Sequence, residues 1–178
     1  MKLFDSSIRL LPLENSHIPQ LLFWFHSGEY QQFFGNSKII TFDSLSSLTA
    51  DKKQNIFVIT KFDDFSKILG CVCITKINER SRSFYVACLV DKNHHRQKIA
   101  SSAIIILINY AMNSLNLYKA IAESSATNVA SIKAMENLGF KHEGTLIHEE
   151  YVDGTFVDVE RFCFLKGAFN KLYKKGNK

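Results

Sequence analysis

The sequence predicts a mixed α/β fold, and three observations carry that expectation. Residues 56–60, 68–77 and 84–90 are β-branched runs separated by short polar turns, the pattern of an antiparallel meander. Between residues 95 and 115 the apolar side chains Ile99, Ala103, Ile106, Leu107 and Tyr110 recur with a helical period. A further strand and helix and a closing hairpin follow, so strands and helices alternate along one chain.

Taken in order, residues 8–13 alternate as a strand, and Asn15 or Ser16 offers an N-cap for an apolar helix over 18–25. Residues 28–50 are rich in Ser, Gln and aromatics without clean periodicity, so a broken helical or loop region is expected there, and a substrate lid would lie in it. The polar stretches 61–67 and 78–83 turn the chain between the three meander strands. After the long helix, residues 118–124 are short enough for a strand. Asn128 can cap a helix over 129–138, which stops at Gly139, where a left-handed residue fits. Residues 140–152 and 155–165, joined at Asp153-Gly154, read as the final hairpin. The meander then feeds one parallel pair, residues 84–90 beside 118–124, with a natural binding cleft between them.

A chain of 178 residues fits a single domain over 1–178. Its 46% hydrophobic content with few Pro and Gly places it among ordinary globular proteins. The longest apolar run, 103–108, is far below the ~20 residues that span a bilayer, so no membrane association is expected. Cys71, Cys73, Cys88 and Cys163 lack zinc-ligand spacing. They read as reduced thiols of a cytoplasmic protein with no metal site, even with His94 and His95 adjacent. The formal charge of +5 owes part of its excess to Lys171, Lys174, Lys175 and Lys178. It suits a polyanionic cofactor as well as a nucleic acid, and no nucleic-acid recognition motif accompanies it.

The segment Val90-Asp91-Lys92-Asn93-His94-His95-Arg96-Gln97-Lys98-Ile99-Ala100 resembles the pyrophosphate-binding strand-loop-helix of the GNAT superfamily of N-acetyltransferases. Asn128-Val129-Ala130-Ser131 through Glu136-Asn137-Leu138-Gly139-Phe140 resembles its second motif. Together they are similar to the branch containing the ribosomal-protein N-terminal acetyltransferases. The resemblance implies a GNAT fold, acetyl-CoA as donor, and a cradle of Leu89, Val90, His95, Arg96, Gln97, Lys98, Ile99, Ala100 and Ser101, with Asn128 and Ser131 as further contacts. A helix N-terminus with unpaired amides and a positive dipole end suits a pyrophosphate. The chain departs from the family pattern at His95, where Arg or Gln is usual, and at Lys98, where glycine is usual.

Acyl transfer to an amine needs a neutral amine, a polarised carbonyl and a proton for the leaving thiolate. The resemblance implies Glu123 as base, with a solvated or lysine-paired glutamate as the bland alternative. It implies backbone amides near Leu89 and Val90 as carbonyl donors if that strand carries a bulge. The family's tyrosine acid is replaced by Met135, which reads as a core side chain. The acceptor expected is a primary amine on a small molecule or a protein N-terminus, used by a monomer or homodimer. A nucleotide-linked aminosugar and a catalytically impaired GNAT-like binding protein stand as alternatives. Tyr30, Phe33 and Phe34 could stack on a sugar or base, or fill a core.

Overall fold

The computed structural model describes residues 3–27, 40–50, 55–152 and 154–173. Its elements run β1 (Ile8–Pro12), α1 (Ile18–His26), α2 (Phe42–Ala50), β2 (Ile56–Lys61), β3 (Ile68–Asn78), β4 (Ser83–Val90), α3 (Ile99–Asn113), β5 (Lys119–Ser125), α4 (Val129–Asn137), β6 (Lys141–Val152), β7 (Thr155–Leu165) and α5 (Lys166–Tyr173). The mixed α/β expectation holds nearly element by element. Helix α2 gives helical form to the end of the stretch expected to be broken, whereas Tyr30, Phe33, Phe34 and Asp153 lie outside the described residues.

One sheet of seven strands in the order β1-β2-β3-β4-β5-β7-β6 unites these elements. All its pairs are antiparallel except β4–β5. Each face buries an apolar cluster. Beneath α3 and α4 lie Val72, Ile74, Phe84, Val86, Val90, Ala103, Leu107, Met135 and Phe162. Beneath α1 and α2 lie Leu21, Trp24, Leu45, Val58, Cys71 and Leu89. The two lists divide by alternation along β3 and β4, the period of a strand buried on both sides.

The chain's last helix, α5, was not expected from sequence. It is held by Phe169, which is 1% exposed and packs on Phe164, and by the Tyr173 hydroxyl, which donates to the Leu138 carbonyl at 2.9 Å. Lys166 Nζ donates to the Met112 carbonyl at 2.5 Å, placing a cation at the C-terminal end of α3 where the helix dipole favours one.

Cys71 and Cys73 share one face of β3, as alternation predicts, and Cys88 lies opposite Val72 on the other. All four cysteines are free thiols. Burial pushes the Cys73 thiol up to about 11, and raises Cys71 and Cys88 as well. No helix among the described residues is long and apolar enough to cross a membrane.

Gly70 is where β3 comes closest to β4. A Cβ there would run into the Leu89 carbonyl oxygen and sit 2.9 Å from Val90 Cα, both rigid backbone atoms. Gly70→Ala is therefore expected to cost about 2 kcal/mol through overpacking and to lower the melting temperature by roughly 5 °C. Thermal unfolding of the purified variant measures this, and an unchanged midpoint would refute the close-approach argument.

Candidate active site

Strands β4 and β5 pair only at Ser83–Lys119, Phe84–Ala120 and Tyr85–Ile121. Beyond that point β4 stays paired with β3 as far as Val90, while β5 stays paired with β7 as far as Ser125. The two strands separate and leave a V-shaped opening at their C-terminal ends. Such openings are where α/β sheets bind ligands.

The β3–β4 pairing shows no bulge at Leu89 and Val90, its register being unbroken from Gly70–Val90 to Thr75–Tyr85, so the condition for carbonyl donors there is not met on that edge. A register shift lies one strand away, between Ile59 and Thr60 of β2 in their pairing with β3. The amide of Asp91 donates to the Leu69 carbonyl at 2.8 Å. By alternation the Leu89 amide also points to β3, and the backbone edges of Val86, Cys88 and Val90 face the opening. By this alternation the Leu89 N–H is directed at the sheet and the Val90 N–H toward the opening.

Between β4 and α3 the chain makes one 3-10 turn, Lys92–His94, whose N-cap Asp91 accepts from the Asn93 amide at 3.0 Å. His95 then folds back, with its Nε2 2.9 Å from the Val90 carbonyl. That contact makes Nε2 the donor and His95 a staple between the loop and the end of β4. His95 therefore shapes the cradle by a contact to the chain itself, a role its place in the motif did not disclose.

Arg96 and Lys98 both adopt left-handed backbone conformations, with φ of 61° and 62°. These are φ values that glycine adopts without cost, and here two cationic residues carry them. Helix α3 begins at Ile99, the first residue of its apolar period, and the left-handed Lys98 before it cannot lie within a right-handed helix. Lys98 is the N-cap and its side chain makes no capping bond. The first intrahelical bond runs from the Ser102 amide to the Lys98 carbonyl at 3.0 Å, so the amides of Ile99, Ala100 and Ser101 precede the helical ladder. Left-handed turns leading into an uncapped helix form a concave array of N–H donors suited to a polyanion.

Across the opening, the Asn128 side chain accepts from the Ser131 amide at 3.1 Å and caps α4. Gly139 ends that helix region at φ 88°, as expected. Met135 is 4% exposed and belongs to the core beneath α3 and α4, so it offers no hydroxyl to the opening.

Glu123 is paired with arginine, not lysine. Arg161, directly opposite it on β7, places Nε 2.8 Å and Nη2 2.6 Å from Glu123 Oε1. The Glu123 hydrogen bond raises the pKa of the guanidinium. Tyr85 shares this face, with Lys76 Nζ 4.9 Å from its ring centroid. Further along, Lys119 Nζ lies 2.6 Å from Glu143 Oε1, a contact that holds that carboxyl below its usual range. The structure thus brings the loop 95–101, Val90, Asn128, Ser131 and Glu123 around one opening. Arg161, Tyr85 and Lys76 escaped the sequence reading, since only strand pairing places them together. Among the described residues no group of three His, Cys, Asp or Glu side chains could hold a metal ion.

A relieved left-handed strain gives a direct check on the loop. Lys98→Gly is expected to stabilise the fold by about 1 kcal/mol, because glycine bears φ near 62° without steric cost. Lys98→Val should destabilise it. Urea unfolding of both variants measures the difference, and equal stabilities would show that residue 98 is not left-handed.

Comparison with known proteins finds that a family model described as an acetyltransferase (GNAT) domain matches residues 7–141. The N-acetyltransferase p20 of Bacillus licheniformis is 30% identical over 126 residues, covering 70% of each chain. A spermidine N(1)-acetyltransferase of Vibrio cholerae is 26% identical over 133 residues, 72% of this chain and 76% of that one. The crystal structure of spermidine N-acetyltransferase from Vibrio cholerae in complex with CoA and spermine superposes with a TM-score of 0.83 at 22% identity, covering 93% of this chain and 99% of that one. These relatives support the superfamily but not the finer placement in the ribosomal-protein branch.

Proposed function

The chain belongs to the family of acetyltransferase (GNAT) domains, and on that premise we propose that its acceptor is the primary amine of a small polyamine. Acetyl transfer to an amine defines the reaction, so the chain is an N-acetyltransferase that uses acetyl-CoA. The observation that carries the assignment to this site is the opening between β4 and β5, where an uncapped helix start on one side faces a carboxylate on the other. The choice of polyamine rests on the spermidine acetyltransferases among the relatives. The continuous sheet from β1 to β6 supports reading residues 1–178 as one domain, and four free thiols suit a reducing, cytoplasmic setting.

The residues present fit acetyl-CoA. The amides of Ile99, Ala100 and Ser101 would receive its pyrophosphate, with Arg96, Gln97 and Lys98 adding charge and donors at the rim and His95 holding the loop to β4. Val90 would face the acyl carbonyl with its backbone, and Asn128 and Ser131 would flank the arm across the opening. When bound, the donor supplies a thioester carbonyl open to attack by nitrogen.

Glu123 is placed to take the proton from the acceptor ammonium. Arg161 engages its Oε1 and fixes the carboxylate, leaving Oε2 for that proton. Buried Met135 offers no acidic group, so another hydroxyl or water protonates the departing sulfur, or it leaves as the thiolate, an adequate leaving group for a thiol of pKa about 8.5.

Glu123→Gln is expected to lower the acetylation rate at neutral pH by about 100-fold while leaving acetyl-CoA affinity nearly unchanged, with the deficit shrinking as pH rises and the amine deprotonates unaided. A pH–rate profile identical to that of the parent enzyme would remove Glu123 from the base role. Ser101→Asp separates the cradle from the fold. A carboxylate in the first turn of α3 favours the helix dipole but repels a pyrophosphate, so the melting temperature should hold or rise while acetyl-CoA binding weakens by about tenfold or more. Calorimetry with acetyl-CoA reads this, and equal affinity would place the pyrophosphate elsewhere.

A further inference from the structure

Strand β6 is the sheet edge, and its pairing with β7 shifts register in two places, by one residue between His142 and Gly144 and by two between Leu146 and Glu150. Leu146 faces Val159 and Glu150 faces Val157, so three residues of β6 lie opposite one of β7. Asp158 pins this double bulge. Its Oδ1 accepts from the His148 amide at 2.7 Å, and its own carbonyl accepts from the Ala126 amide at 2.9 Å, at the turn between β5 and α4. His148 takes a left-handed φ of 52° there. Bulges beside active sites re-aim side chains, and this one redirects β6 next to Glu150.

By pairing and alternation, Glu150, Val157, Val159, Arg161 and Glu123 share one face of the sheet. Glu150 is half-buried between exposed Glu149 and Tyr151. Glu123 is matched by Arg161 and Glu143 by Lys119, but no ion pair holds Glu150 among the described residues. Lys76, the cation near it, is engaged over the Tyr85 ring.

From this placement we infer that Glu150 is a specificity-determining residue, reading a second positive charge on the acceptor while the reacting amine sits at Glu123. The inference deepens the polyamine assignment and rests on it. Burial, followed by the charges of Glu123 and Glu149, raises the pKa of Glu150, with Lys76 opposing. A second ammonium would relieve that unfavourable environment.

The test is steady-state kinetics with acetyl-CoA and two acceptors, spermidine and butylamine, comparing the parent enzyme with Glu150→Gln and Glu150→Asp. In the parent, spermidine is preferred. In Glu150→Gln that preference falls by about tenfold, chiefly through KM for spermidine, with kcat and the constants for butylamine little changed. Glu150→Asp restores part of it, and Asp158→Ala, which frees the bulge, reproduces part of the loss. Equal losses for both acceptors in Glu150→Gln, or no loss for either, overturn the inference while acetylation of amines stands. Parent enzyme that acetylates butylamine but does not favour spermidine overturns it as well. Parent enzyme that acetylates neither overturns the acceptor assignment and the inference together.

Discussion

The parting of β4 from β5 is the constraint on which the rest of the site depends. Three residue pairs join the strands, and then each follows its other neighbour, β3 or β7. A parallel pair cannot open this way in the middle of a sheet unless both partners keep hydrogen-bonded neighbours on their outer sides, because unpaired backbone in a core is costly. The antiparallel meander and the closing hairpin provide those neighbours. The architecture flanking the opening therefore serves the site directly, by allowing two strand edges to face a ligand instead of each other.

The loop into α3 shows how a sequence can depart from a pattern and keep its geometry. Lys98 and Arg96 hold left-handed backbone conformations at φ 62° and 61°, each at a cost of about 1 kcal/mol or more. His95 on the Val90 carbonyl and Asp91 on the Asn93 amide tie the loop at two points and help to hold those conformations. What the strain accompanies is two cations at the uncapped start of α3, an exchange of backbone ease for charge.

Much of this was legible in the sequence, for identifiable reasons. Alternation and β-branched runs give the meander, the 3.6 period gives α3, and Asn128 and Gly139 mark the ends of α4 because capping and left-handed termination are local chemistry. What could not be read depends on pairing between distant segments. Glu123 meets Arg161 across 38 positions of chain, and no local pattern names that partner. The left-handed turns at Arg96 and Lys98 could not be read either, because neither is the glycine that such a backbone favours. Helix α5 was missed because its stability comes from Phe169 and Tyr173 packing on Phe164, contacts made only once β7 is in the sheet.

The buried thiols of β3 and β4 give the site a chemical discretion of its own. Cys88 sits on β4, which borders the opening, and Cys71 and Cys73 sit on β3 behind it; a thiolate with access to an activated acyl group would compete with an amine for it. Burial favours the protonated form of these sulfurs, pushing Cys73 up to about 11 and raising Cys71 and Cys88 as well, and a protonated thiol is a poor nucleophile. The interior that packs the sheet thus also keeps these thiols in their unreactive form.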